Sequence, residues 1–312
     1  MKIVFFGSAN VALPILEELV TRHEVLAVVT NPDAPAGRRG TEQETPVSAL
    51  AKDLNLKTFK PKKIKGNIEF FEDLQNLSAD IFVVVAFGSI LPKEIIKLPK
   101  LKTVNVHFSL LPKYRGPSPI QSALLHGDKQ TGTSIFLLDE HVDSGPLLAQ
   151  KIINIVEDDN FFTLSDKLAK ISAHLLLDTL GKYQTGKVTP LPQDEAGATY
   201  TKIITKEDGK INWQNSAFEI YNQFRAFYIW PGIWTFWKHK NLKILDCVPS
   251  ELQMSDMQTG KNSPGQVLET GKVICGNGTI LKIRSLKLEG KKETDIASFL
   301  NGHKDFVQSK LG

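Results

Sequence analysis

The sequence predicts an α/β domain built on an open, largely parallel sheet, followed by a small β-barrel. Three observations carry that expectation. Short β-rich runs alternate with amphipathic stretches over the first 180 residues, a Gly-, Pro- and Thr-rich segment interrupts the chain after position 180, and closely spaced strand-like runs follow from position 206.

Taken in order, KIVFFG (2–7) and EVLAVVT (24–30) read as strands, and between them Leu13, Leu16, Leu19 and Val20 fall on one helical face. The pattern continues through IFVVVAFG (81–88), TVNVHF (103–108), TSIFLLDE (133–140) and LLAQKIINI (147–155), with helical stretches near 46–55 and 162–180. Such alternation places strands in a Rossmann-like, mostly parallel sheet. IFVVVAFG is apolar on both faces, as a central strand must be. The segment GKYQTGKVTPLPQDEAGATYT reads as a connection to a second domain, giving domains at 1–189 and 206–312 with a linker at 190–205. A helix at 214–227 and the runs LKILDC, GQVLET, KVICG and TILKIRSLKL then suggest an OB-like barrel.

Composition narrows the function. A chain of 312 residues with 41% hydrophobic and 23% charged positions buries a sizeable core and suggests two domains. No apolar run approaches the ~18 residues of a membrane span, and the start MKIVFFGSANVALP lacks a secretory signature, so a cytoplasmic protein without membrane partners is expected. Cys247 and Cys275 have no Cys or His partner at metal-ligand spacing, so neither a disulfide framework nor a metal site is expected. Residues 1–205 balance 23 Lys and Arg against 23 Asp and Glu, whereas 206–312 carry 15 against 11. The formal charge of +4 therefore lies in the last third. After the first strand the chain reads G-S-A-N-V-A, without the G-x-G-x-x-G of a dinucleotide fingerprint, which argues against a nicotinamide oxidoreductase.

The stretch NVHFSLLPKYRGPSPI (105–120) points elsewhere. Residues two apart on a strand share a face, so Asn105 and His107 project together while Val104 and Val106 enter the opposite layer. Pro112 and the prolines after it end the strand there, and ligands of open α/β sheets sit beyond the carboxyl ends of the strands. One Asn-x-His by itself is more often a hydrogen-bonded core pair than a site.

Context changes that weight. The whole of NVHFSLLPKYRGPSPIQSALLHGDKQTGTSIFLLDEHVDSGPLL resembles the folate-dependent formyltransferases, whose pattern is Asn-x-His, then SLLP-x-Y/W-RG, then a D-x-G loop. The resemblance implies catalytic roles for Asn105, His107 and Asp143, a folate-lining role for Ser109, Leu110, Leu111 and Pro112, and pterin contacts from Phe87, Gly88, Ser89, Ile90 and Leu91. ATYTKIITKEDGKINW, FRAFYIWPGIWT and PGQVLE resemble the members of that family that act on methionyl-tRNA, so the resemblance covers essentially the whole chain. NPDAPAGRRG resembles their loop that approaches the tRNA acceptor end, which implicates Arg38 and Arg39. This chain departs from the family there, with Glu42 and Glu44 in place of Lys-rich text, and again at Gly7–Ala12, where an aromatic residue is missing.

The implied reaction moves formyl from 10-formyltetrahydrofolate to the α-amino group of methionyl initiator tRNA, without a metal, on a monomer. Formylation of an amino sugar nucleotide is the alternative. Either Asp143 with an ordered water or His107 itself would relay the proton. Given the basic excess, Lys206, Lys243, Lys282, Arg284 and Lys287 are expected to hold tRNA through shape and phosphate. The tryptophans Trp213, Trp230, Trp234 and Trp237 are read as core rather than as stacking platforms.

Overall fold

A computed structural model describes residues 1–36, 41–251 and 263–312. In chain order the elements are β1 (Lys2–Gly7), α1 (Leu13–Arg22), β2 (Glu24–Val29), β3 (Ala34–Ala36), β4 (Thr41–Gln43), α2 (Pro46–Asp53), β5 (Thr58–Phe59) and α3 (Ile68–Asn76). There follow β6 (Ile81–Val85), α4 (Lys93–Ile96), β7 (Thr103–His107), α5 (Pro119–Leu125), β8 (Gln130–Leu137), β9 (Leu147–Asn154) and α6 (Phe161–Gln184). The rest are α7 (Ala217–Ala226), β10 (Ile233–Trp237), β11 (Lys240–Ser250), β12 (Lys272–Ile274), β13 (Ile280–Leu288), β14 (Thr294–Asp295) and α8 (Ile296–Gly302). Contacts divide the chain into two compact units. The first holds residues 1–119, 130–155 and 164–202, and the second holds 120–129, 156–163 and 203–312.

The first unit is built on a seven-stranded sheet in the order β5-β2-β1-β6-β7-β8-β9. β1 and β6 lie at its centre, and Ile3 to Phe6 and Ile81 to Val85 are buried throughout, which is why both read as unbroken apolar runs. Helix α1 buries Ile15, Leu16 and Leu19, with Pro14 in its first turn, where a missing N–H costs nothing. Thr45 and Asn67 cap α2 and α3 by accepting from the Ser48 and Phe70 backbone N–H groups. Pairing is parallel from β5 to β7, as the alternation predicts. β8 and β9 are antiparallel to their neighbours. The stretch between Leu137 and Leu147 falls short of the dozen or so residues that a parallel crossover needs, so β9 returns beside β8 as a hairpin.

The second unit packs α7 with an antiparallel sheet in the order β10-β11-β13-β12, with β14 added to β13. Ser216 and Glu219 form a reciprocal capping box at the start of α7. Leu242, Ile244, Leu281, Ile283 and Leu286 fill the inner face. Trp213, Trp234 and Trp237 are core residues, as expected, while Trp230 is 56% exposed beside exposed Tyr228 and Ile229. GQVLET forms no strand, because Val267 makes only an isolated bridge to Val273. Cys247 and Cys275 are buried free thiols. Arg225 on α7 is buried and donates to the carbonyls of Val156, Glu157 and Asp159 and to the Asn222 side chain, tying the early segment 156–163 into this unit. Among the described residues, no helix is long and apolar enough to cross a membrane.

Candidate active site

The strand β7 ends at His107, and its period of two turns Asn105 and His107 to one face. His107 is 6% exposed. Its Nε2 lies 2.8 Å from the carbonyl oxygen of Tyr114, which only accepts, so Nε2 carries a proton and Nδ1 is left for other work. Nδ1 stands 3.5 Å from Asp143 Oδ2, and Asn105 Nδ2 stands 3.5 Å from Asp143 Oδ1. The three side chains that the sequence singles out therefore converge. Both contacts to Asp143 are longer than a good hydrogen bond, which leaves the Asn105 amide able to turn toward a substrate oxygen, while the imidazole is held through Nε2 with its Nδ1 edge toward Asp143.

Asp143 is carried by a tight loop between β8 and β9. Asp139 begins it, accepting from the His141 N–H and from the Ser144 hydroxyl. Asp143 itself adopts a left-handed backbone at φ 49°, and its Oδ2 accepts the Gly116 N–H at 2.7 Å. Gly145 closes the loop against β8, so near that a Cβ there would overlap the carbonyl oxygen of Leu137. This is the physical need behind the glycine of D-x-G.

The SLLP segment is held from within. The Ser109 hydroxyl donates to the Lys113 carbonyl at 2.6 Å, and Ser134 accepts the Leu111 N–H while donating to the Ser109 carbonyl. Gln150 adds a bond to the Leu111 carbonyl. Leu111 is buried, whereas Leu110 and Pro112 are half-buried. After β6, Phe87 and Leu91 turn into the core with Phe6 and Ile95, while Gly88, Ser89 and Ile90 lie at the surface, Ile90 at 91% exposure. Asn31 steadies this turn, donating to the Phe87 carbonyl and accepting from Ser89, and the Ser8 hydroxyl in turn accepts the Asn31 N–H.

Of the cationic residues named from sequence, Lys243, Lys282, Arg284 and Lys287 share one outer sheet face. Leu281, Ile283, Leu286 and Leu288 alternate inward along β13, and Lys243 pairs across to Lys287. The change of parity at Ser285 coincides with the register shift near Asp246, so all three β13 cations stay outside. Arg284 meets Asp246 at 3.8 Å, a surface pair of little energy. Lys206 is exposed on a short helical turn ahead of α7. Arg38 and Arg39 lie outside the described residues, between β3 and β4.

Residues 1–180 match the formyl transferase family profile, and residues 203–304 match that of the formyl transferase C-terminal domain. The methionyl-tRNA formyltransferase of Caldicellulosiruptor saccharolyticus is 41% identical over 310 residues, covering 97% of each chain. The chain belongs to the methionyl-tRNA formyltransferase family. The Enterococcus faecalis family member is 40% identical over 96% of each chain, and that of Staphylococcus aureus strain MW2 is 38% identical over 99% of this chain and 98% of its own. The formyltransferase fold is also that of a Helicobacter canadensis N-formyltransferase solved with folinic acid and dTDP-3-aminofucose. That structure has a TM-score of 0.66 and 20% identity, covering 91% of this chain and 98% of that one. HypX from Aquifex aeolicus, solved with tetrahydrofolic acid, gives 0.64 at 17% identity over 98% of this chain and 48% of its own.

In this family member, reading by motif misses one group that the fold brings to the site. Arg115, in the KYRG text, is 1% exposed and is met by Gln193, Glu195 and Tyr200 from the segment expected as a linker. No periodicity marks those positions, because they act one at a time.

Proposed function

We infer that this chain transfers the formyl group of 10-formyltetrahydrofolate to the α-amino group of methionine esterified to initiator tRNA. The observation that carries the reading is the convergence of Asn105, His107 and Asp143 at the carboxyl end of β7, set in text shared with methionyl-tRNA formyltransferases over nearly the whole chain.

In this reading the amine attacks the formyl carbon, a C–N bond forms, and negative charge gathers on the formyl oxygen. Donors aimed at that oxygen stabilise the tetrahedral state, by ~3 kcal/mol for one donor. Asn105 Nδ2 is one donor at hand, and His107 Nδ1 is a second when it carries a proton, since Nε2 is spent on the Tyr114 carbonyl. Collapse breaks the bond to folate N10, and the proton lost by the amine ends on N10. Asp143, bridging toward both Asn105 and His107, stands where that proton is relayed. No metal enters this sequence of steps.

The pterin lies against the turn 88–90 and the SLLP backbone, whose internal hydrogen bonds make the surface rigid. The outer face bearing Lys243, Lys282, Arg284 and Lys287 meets tRNA phosphates, with Lys206, Arg38 and Arg39 adding to the footprint. The protein works in the cytoplasm, as a monomer. Incubation with 10-formyltetrahydrofolate and either methionyl initiator tRNA, methionyl elongator tRNA or a dTDP-amino sugar tests the reading. Formate should appear on initiator methionyl-tRNA, and exclusive labelling of the sugar overturns the assignment.

A further inference from the structure

Within the linker segment 190–205, residues 191–201 lie along the first unit as a strap. At one end Leu191 exchanges both backbone hydrogen bonds with Leu147, each 2.8 Å. At the other the Arg115 N–H donates to the Thr199 carbonyl, the Thr201 N–H donates to the Arg115 carbonyl, and the Thr199 hydroxyl accepts the Tyr114 N–H.

Between these anchors Gln193 reaches the loop that carries Asp143. Its amide nitrogen donates to the carbonyls of Asp143, at 2.9 Å, and Gly145, at 2.7 Å. Its amide oxygen accepts from Arg115 Nε at 3.2 Å and Nη2 at 2.9 Å. Both donors and the acceptor of the amide are thus used, and the orientation is fixed: a flipped amide would set NH2 against a guanidinium and oxygen against two carbonyls. Arg115 is fixed in turn by a two-pronged pair with Glu195, at 2.9 and 2.7 Å, and by the Tyr200 hydroxyl. That pairing raises the guanidinium further above its ordinary range, so the clamp is charged at any working pH.

Asp143 needs such support. Its left-handed backbone, at φ 49°, is an uncommon conformation for a residue with a side chain and is kept where the surroundings hold it. The same short stretch that the strap pairs with also supplies the Tyr114 carbonyl to His107 and the Gly116 N–H to Asp143. The clamp therefore sets the spacing between imidazole and carboxylate.

We propose that Gln193, clamped by Arg115, is a positioning residue for formyl transfer, which acts by fixing the Asp143 loop against His107 and Asn105. The proposal rests on the catalytic role given above to Asp143.

Four full-length variants test it by steady-state transfer from 10-formyltetrahydrofolate to methionyl initiator tRNA: Gln193→Met, Gln193→Glu, Asp143→Ala, and Asp143→Ala with Gln193→Met. Gln193→Glu keeps the reach and the partner for Arg115, so the strap stays anchored, but it offers no donor to the two carbonyls. Both Gln193 variants should lower kcat by about 10²-fold, the scale of a 1 Å misplacement, with KM for each substrate within about threefold of the parent. Added to Asp143→Ala, the loss of Gln193 should cost less than about threefold more, because its effect passes through Asp143. An inactive parent overturns the functional reading. An active Asp143→Ala overturns the role of the carboxylate. With both of those intact, a fully active Gln193→Glu, or a double variant whose losses multiply, overturns this proposal.

Discussion

Gly145→Ala is a sharp test of whether the Asp143 loop must sit where it does. A methyl group built on Gly145 overlaps the Leu137 carbonyl oxygen and lies 3.0 Å from the carbon that bears it. Those atoms are backbone. Leu137 pairs with Val104 in the sheet, and the next N–H, that of Leu138, donates to the Thr103 carbonyl at 2.8 Å, so this end of β8 is held to β7. Ordinary carbon contacts begin near ~3.5 Å, so the loop rather than the strand moves, on the order of 1 Å. Overpacking of this kind costs about 1–3 kcal/mol of stability, whereas a misplacement of that size costs about 10²-fold in rate. Folding and catalysis thus separate. Measured at 25 °C, where the variant stays folded, kcat for transfer to methionyl-tRNA should fall by about 10²-fold while Tm drops by a few degrees. A lowered Tm with kcat within about twofold of the parent would refute the requirement for a fixed Asp143.

Three other outcomes are expected. Asn105→Ala and His107→Ala should each reduce kcat/KM by about 10² or more with circular dichroism unchanged, and near-normal turnover in either removes that side chain from the mechanism. Lys282→Glu with Arg284→Glu should weaken tRNA binding and flatten its dependence on salt while sparing folate affinity, and an unchanged salt slope would clear this sheet face of phosphate contact. The Arg115 hydrogen bond holds the Glu195 carboxyl below its ordinary value of 4.5, so the unfolded chain takes up that proton first. The stabilisation is in place above that value and is lost as pH falls through the lowered one, so Glu195→Gln should lower Tm more at about pH 7 than at about pH 3. Equal losses at both pH values would show that the pair's charge is immaterial.

The parts legible in sequence are those with a period. β1 and β6 are buried on both faces, β2 over its second half and β7 over most of its length, so they read as apolar runs, and α1 shows its Leu spacing. Asn105 and His107 stood out because polar residues two apart interrupt such a run, and their convergence with Asp143 followed from a loop text. Strand direction carried no signal for β8, which is as apolar as its parallel neighbours yet antiparallel to β7, whereas β9 is turned back by its short connection to β8. The strap was hidden for the opposite reason. Its Pro, Gly and charge are those of a solvated connection, yet its bonds are made by backbone groups and by Gln193 and Glu195 singly, each to Arg115 far away in sequence. Ser8 and Asn31, which steady the turn after β6, are likewise isolated polar residues whose partners only the fold supplies.

The second unit is discontinuous along the chain, and Arg225 makes that consequential for synthesis. Its guanidinium bonds the carbonyls of Val156, Glu157 and Asp159, which leave the ribosome well before α7 exists. Until α7 arrives, 156–163 lacks the guanidinium that bonds its carbonyls, and a fragment starting at residue 203 would leave Arg225 without those partners. In this protein the first unit, whose residues all precede 203, can close first. The second unit is finished only by capturing pieces made earlier, which raises the sequence separation of its contacts and slows its assembly.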